Sequence, residues 1–177
     1  ISDRKRLETE LHTIANTDPL TGTHNRRYFV EQAELELNRA QRYRHPLSLM
    51  ILDLDYFKQV NDQYGHAAGD AALKTVVEVC RQMLREQDTL CRLGGDEFAV
   101  LLPETDLDGA MFVAERVTES IAGATVPGGD ENLQLSLSIG VTTLDSQRNA
   151  NFEAFMSAAD RALYEAKTHG RGRVQAA

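Results

Sequence analysis

Residues 92–98 read Arg92-Leu93-Gly94-Gly95-Asp96-Glu97-Phe98, with Thr89-Leu90-Cys91 before them and Ala99-Val100-Leu101-Leu102 after. Two short, apolar, β-favouring runs joined through Gly-Gly predict a β-hairpin, because a tight primed turn needs positive φ at its centre. Gly94 and Gly95 supply that conformation without steric cost, and they leave the tip bare so that a ligand can approach the backbone. Asp96 and Glu97 follow at once and, as strand neighbours, point to opposite faces. A bare tip flanked by acids suits a metal-bound phosphate. Taken alone, the same residues describe a surface hairpin with solvated acids equally well.

A second acidic cluster shifts that balance. Leu47–Asp55 is an almost unbroken apolar run that ends in two acids, Asp53 and Asp55. It reads as a central strand covered on both faces. Ligands of α/β sheets gather at the carboxyl ends of strands. Burying acids beside Leu52 and Leu54 is unfavourable unless a cation or hydrogen-bond donors compensate. With the hairpin beside this strand, Asp53 and Asp96 make a minimal carboxylate pair for metal-assisted nucleotidyl transfer. The alternative for Asp53 is a cap on the following turn.

The 177 residues, 42% of them hydrophobic, suffice for one α/β domain with a full core. The net charge of −8, from 19 basic and 27 acidic residues, argues against a grip on nucleic acid. Cys80 and Cys91 lie in apolar patterns without metal-ligand spacing, which predicts reduced, buried thiols. There is no apolar run of about 18 residues and no signal peptide, as expected of a cytoplasmic domain. The chain opens on Ile1 rather than methionine, as expected of a piece excised from a longer parent, for which a membrane anchor stays open.

Outward from these two segments, residues 1–16 carry Leu7, Leu11 and Ile14 on one helical stripe. This predicts a linker helix at the end of an upstream coiled coil; the alternative is a helix packed on its own domain. Asp18-Pro19 closes it. Asn25 caps a helix to about Tyr43 whose core positions are Phe29, Ala33, Leu37 and Ala40. A short helix covers Phe57–Tyr64, and Gly69-Asp70 opens a longer one to about Arg85, with Leu73, Val76, Val77, Cys80, Met83 and Leu84 inward. Thr105 or Asp106 caps a helix to about Ala122. Leu133–Leu144 alternates as a strand with one wet face. Asn151 caps a helix carrying Phe152, Phe155, Ala159, Leu163 and Ala166; Gly170 ends it, and Arg171–Gln175 forms a last short strand. An adjacent hairpin within an alternating pattern implies an α/β domain with a mixed sheet flanked by helices.

The run Asp53-Leu-Asp-Tyr-Phe-Lys58-Gln-Val-Asn61-Asp-Gln-Tyr-Gly65-His66-Ala-Ala-Gly69-Asp70, followed by Arg92–Phe98, resembles the GGDEF domain of bacterial diguanylate cyclases in order and spacing. The resemblance extends from about Asp18 to Val174. It implies a palm-like, nucleotide-cyclase-like α+β fold over residues 17–177. It also implies a reaction in which two GTP condense to cyclic di-GMP and two pyrophosphates, at the interface of a two-fold homodimer. Two Mg²⁺ per active site, replaceable by Mn²⁺, would be held by Asp53, Asp96 and the Leu54 carbonyl. Glu97 is implied as a second metal ligand or proton acceptor.

Guanine would be read by Asn61 and Asp70, with Leu20 and Leu73 around the base. The phosphates would meet Gly94, Gly95, Phe57, Lys58, Lys167 and Arg171. Arg85 and Asp88, in the family's Arg-x-x-Asp spacing, together with Arg116, would form a product-inhibition site. An upstream sensory domain is implied, and nucleic acid is not. The alternative within the family is a catalytically weak module that senses GTP or receives cyclic di-GMP. His66 reads as structural, packing beside Gly65. Two departures stand out: Thr23 replaces the usual Leu, and Gly172 the usual Asn. Each is expected to loosen its surroundings, the turn below the base pocket and the phosphate-side strand respectively.

Overall fold

The structure is a computed structural model and describes residues 2–177. A six-stranded mixed sheet forms its centre. The strands are β1 (His24–Asn25), β2 (Leu47–Leu54), β3 (Thr89–Gly94), β4 (Glu97–Pro103), β5 (Leu137–Thr143) and β6 (Val174–Ala176). They lie in the order β1-β3-β4-β2-β5-β6. Central β2 runs antiparallel to both β4 and β5, whereas β1–β3 and β5–β6 are parallel pairs. The helices are α1 (Asp3–Asn16), α2 (Arg26–Tyr43), α3 (Phe57–Tyr64), α4 (His66–Met83), α5 (Leu107–Ala122) and α6 (Phe152–Thr168).

The alternation of side chains along β2 divides the core in two. Met50, Leu52 and Leu54 face the cluster built with α4 and α5, through Leu73, Val76, Val77, Ala114 and Val117. Leu49 and Ile51 face the cluster built with α2 and α6, through Phe29, Ala33, Phe155 and Ala159. Every residue of β2 is buried, as its unbroken apolar run predicts. Cys80 and Cys91 are free and buried, and burial pushes both thiols up to about 12. The caps fall where expected: Asn25, Asp106 and Asn151 side chains accept from Tyr28, Gly109 and Ala154 amides at 3.0, 2.9 and 2.8 Å.

The structure corrects several boundaries. α4 begins at His66, not at Gly69, because Gly65, at φ 91°, makes the break between helices. It ends at Met83, two residues before Arg85. His66 is exposed at the start of α4 rather than packed. β5 starts at Leu137 and has no wet face over most of its length: Ser138 is fully buried, and Gly140 lies under α6. β6 begins at Val174, because residues 170–172 all have positive φ and form a tight reversal. β1 was not foreseen; two residues are too few to show a period.

Candidate active site

The hairpin tip is one residue further along than the sequence reading places it. Gly94 pairs with Glu97, so Gly95 and Asp96 form the turn and Leu93 is bulged. Gly95 has φ 53° and Gly94 φ 148°, which explains the need for glycine at both. Arg92 closes the tip from below. Its guanidinium donates to the Gly95 carbonyl at 2.9 and 2.7 Å and to Asp18 at 3.2 Å. Burial alone would raise the Asp18 pKa, but hydrogen bonds from Thr21 and the Arg92 guanidinium outweigh it and hold the carboxyl below its usual range.

Asp53, the last inward-facing residue of β2 on the α2/α6 side, lies opposite Glu97 across the β2–β4 ladder. Cross-strand partners share a face, so these two carboxylates point the same way. Asp96 reaches the place from the turn, and its carbonyl accepts the Leu54 amide at 3.3 Å. Asp53 is 7% exposed. Its pKa is pushed up to about 7, first by burial and then by the Asp96 carboxyl group, against the pull of Lys167. The Lys167 ammonium donates to Asp53 Oδ2, while Oδ1 is buried without a hydrogen-bond partner among the described residues. The Glu97 pKa is raised as well, by burial and then by the charges of Asp160 and Asp53.

An orphaned, buried carboxylate oxygen beside a second carboxylate fits a hard cation. Among the described residues no three His, Cys, Asp or Glu side chains make a ready metal cage. An ion held there would take one or two carboxylates and complete its sphere with water and phosphate.

The expected base readers lie on the α4 side of the sheet. Asn61 rests against Gly69: a Cβ added there would come within 1.8 Å of Asn61 Oδ1. Asp70 follows on the exposed face of α4, one turn inside the helix rather than at its cap. Leu20 is half-buried, but Leu73 is 1% exposed and belongs to the core. Of the expected phosphate contacts, Lys58 is exposed and Phe57 half-buried on the first turn of α3. Lys167 sits on Asp53. Arg171 lies 4.7 Å over the Tyr56 ring and 3.9 Å from Asp55. The structure therefore gathers Asp53, Asp96, Glu97, Gly94, Gly95 and Lys167 at one end of β2, with Arg171 beside Asp55 at the strand's exit.

The profile of one family, described as the diguanylate cyclase GGDEF domain, matches residues 15–173. The chain belongs to the GGDEF family. This GGDEF domain is 42% identical over 163 residues to diguanylate cyclase DgcP of Pseudomonas aeruginosa, covering 92% of this chain and 24% of that protein. It is 38% identical over 173 residues to the response regulator PleD of Caulobacter vibrioides, covering 97% and 38%. It thus spans well under half the length of these relatives. The coiled coil and GGDEF domain of DgcB from Caulobacter crescentus, solved in complex with c-di-GMP, superimposes with a TM-score of 0.90. The identity there is 27%, over 98% of this chain and 91% of that one.

In this GGDEF domain Arg85 is already engaged. It donates to Asp88 at 3.1 Å, to the Pro103 carbonyl at 2.9 Å and to Thr105 Oγ1 at 2.7 Å. Asp88 is buried by the pair, its side chain 2% exposed. Arg116 projects from α5 with its guanidinium 5.6 Å over Phe112; among the described residues it makes no ion pair.

Both departures from the family pattern are tighter than expected. Thr23 is buried and donates to the Leu90 carbonyl at 2.8 Å, which ties the turn to β3. Gly172 has φ 58° and donates its amide to Asp55 at 2.9 Å. A left-handed site suits Gly and Asn alike. The sequence reading missed the Arg92–Asp18 bridge, the Asn61–Gly69 seat and the donors that hold Asp55. The alternating Ser136 and Ser138, which donate to Asp55, were the available signal for the last.

Proposed function

We propose that this domain is a diguanylate cyclase that condenses two GTP into cyclic di-GMP and two pyrophosphates. The observation that carries the reading is the convergence of Asp53 and Asp96 around an unpartnered carboxylate oxygen at the foot of a bare glycine turn. Asp53, Asp96 and the Leu54 carbonyl would hold Mg²⁺ or Mn²⁺, two ions per site. Bound there, the metal stabilises charge on the α-phosphate and acidifies the attacking 3′-hydroxyl.

The chain's own residues do the rest. Asp70 accepts from guanine N1–H and N2–H₂, and the Asn61 amide, seated on Gly69, both donates and accepts. Adenine lacks that donor pair, so these residues favour GTP. Lys167 donates to Asp53 until the nucleotide arrives and then offers its ammonium to phosphate, with Lys58 and Arg171 as further cations. Glu97 takes the 3′-hydroxyl proton; its raised pKa brings it nearer the range of a working general base.

One domain presents one GTP, so the reaction needs two domains facing each other with two-fold symmetry. Cyclic di-GMP returning to Arg85, Asp88 and Arg116 would hold them apart in an unproductive pose. Arg85 can meet a purine edge and a phosphate at once, once its bonds to Pro103 and Thr105 are released.

Incubation with GTP and Mg²⁺, followed by product analysis, tests the reading. The wild type forms cyclic di-GMP and Glu97→Gln forms at least about a hundredfold less, the scale of a general base. Tight guanine-nucleotide binding with no turnover in the wild type would instead make the domain a GTP sensor. Arg85→Ala is expected to need more product for half-inhibition, and unchanged inhibition in that variant would refute the regulatory site.

A further inference from the structure

Asp55 is a buried carboxylate for which the proposed chemistry has no use. Its side chain has no solvent exposure. Oδ2 accepts from Ser136 Oγ at 2.5 Å and from the Gly172 amide at 2.9 Å; Oδ1 accepts from Ser138 Oγ at 2.6 Å. The Arg171 guanidinium stands 3.9 Å from Oδ1. Its other side faces the Tyr56 ring at 4.7 Å. Arg171 and Tyr56 are both non-glycine residues in the left-handed region, at φ 63° and 57°. Such residues persist only where surrounding contacts over-determine them, and they gather at functional sites. Flanking glycines make residues 170–172 a run of positive φ, and the Arg171 amide closes it on the Ala166 carbonyl at 3.0 Å.

We propose that Asp55 is a positioning residue for the nucleotide's phosphates: it fixes the 170–172 reversal and draws the Arg171 guanidinium onto Tyr56, so that the arginine is in place before the triphosphate binds. The chemistry favours this over a purely structural tie. Hydrogen bonds from two serines and an amide would anchor the loop to β5 without any contribution from a cation. The negative charge of Asp55 strengthens those bonds and also attracts Arg171, and a guanidinium already ordered loses less freedom when it meets phosphate. The inference rests on the reading of Arg171 as a phosphate contact.

The test is a double-mutant cycle in Mg²⁺, reading the affinity for the α,β-methylene analogue of GTP and for GMP. Asp55→Asn keeps the shape and most of the hydrogen bonds but removes the charge. It is expected to weaken analogue binding roughly tenfold, equivalent to about 1.4 kcal/mol, and GMP binding less than about twofold. Arg171→Ala weakens the analogue at least as much, and the double variant binds no worse than Arg171→Ala alone, since coupled residues are non-additive. Unchanged analogue binding in Asp55→Asn overturns the proposal, as does full additivity or an equal loss of GMP binding. If Arg171→Ala alone changes nothing, the phosphate role of Arg171 fails, and the inference with it. Should Asp55→Asn not fold, the order of the Arg171 Nε–H in the nucleotide-free wild type, read by nitrogen-15 relaxation, replaces it. Order close to that of the backbone supports an arginine in place before the triphosphate, and the mobility of a free surface arginine overturns the proposal.

Discussion

Asp53 is kept from its ordinary ionisation by burial and by the Asp96 carboxyl group, and Lys167 only partly offsets them. Its pKa rises from 3.8 to about 7 on folding. The folded state thus holds a proton that the unfolded chain has released. The stability this contributes is complete below about pH 4 and lost as pH rises through about 7. The metal-free wild type should therefore lose melting temperature between pH 5 and 8 relative to Asp53→Asn, which has no such proton to lose. Millimolar Mg²⁺ should shrink the difference. A wild-type profile parallel to that of the variant would count against a strained carboxylate at this position. Both acids, Asp53 and Asp96, were legible as a pair in the sequence because one ends an apolar run and the other follows the Gly-Gly turn between two such runs. Asp55 reads identically there, two residues on, and only its serine and glycine donors separate the anchor from the metal ligand.

Among the elements, β2 and the β3–β4 hairpin carry the acids, and α6 sets where the cations fall. α6 can approach β5 so closely because of Gly140: a Cβ there would meet the Leu163 amide nitrogen at 2.2 Å and the Ala159 carbonyl at 2.3 Å. Both are backbone atoms, so the helix itself must move. Gly140→Ala should cost at least about 2 kcal/mol of stability, within the range of overpacked cores, measurable by denaturant unfolding. It should also cut turnover beyond that loss, because Lys167 rides on the displaced helix. A stability change under about 0.5 kcal/mol, the scale of an ordinary surface substitution, would show that the contact is looser than drawn.

Helical periodicity made the inward residues of α2 and α6 readable in the sequence, since Phe29, Ala33, Leu37 and Phe155 repeat with the helix. β5 misled because Ser138 within it, and Ser136 just before it, donate to a buried carboxylate. The start of α4 misled because Gly69, a residue that usually breaks a helix, sits inside one to make room for Asn61.

At the scale of the molecule, one domain holds half of the proposed reaction. α1 carries Leu7, Leu11 and Ile14 exposed at 54%, 65% and 75%, a stripe open to a second copy, while its end is tied to the domain by the Asn25 amide on the Ala15 carbonyl. One to two heptads cannot hold a coiled coil alone, so the isolated domain should turn over with a rate per domain that rises with its concentration. Fusion of α1 in register to a constitutive parallel coiled coil should raise that rate and abolish the concentration dependence, as effective concentration requires. Equal rates for the free and fused forms would show that α1 does not bring domains together. Among the described residues no helix is long and apolar enough to cross a membrane.

The catalytic expectations depend on a cation at the end of β2. Its most direct measurement is a titration of Mn²⁺ into the domain with the methylene analogue of GTP, followed by electron paramagnetic resonance. The wild type should bind the ion, and Asp53→Asn and Asp96→Asn should each bind it at least about tenfold more weakly, the loss of one contact worth about 1.4 kcal/mol. Wild-type affinity in both variants, with their folds intact, would contradict the site.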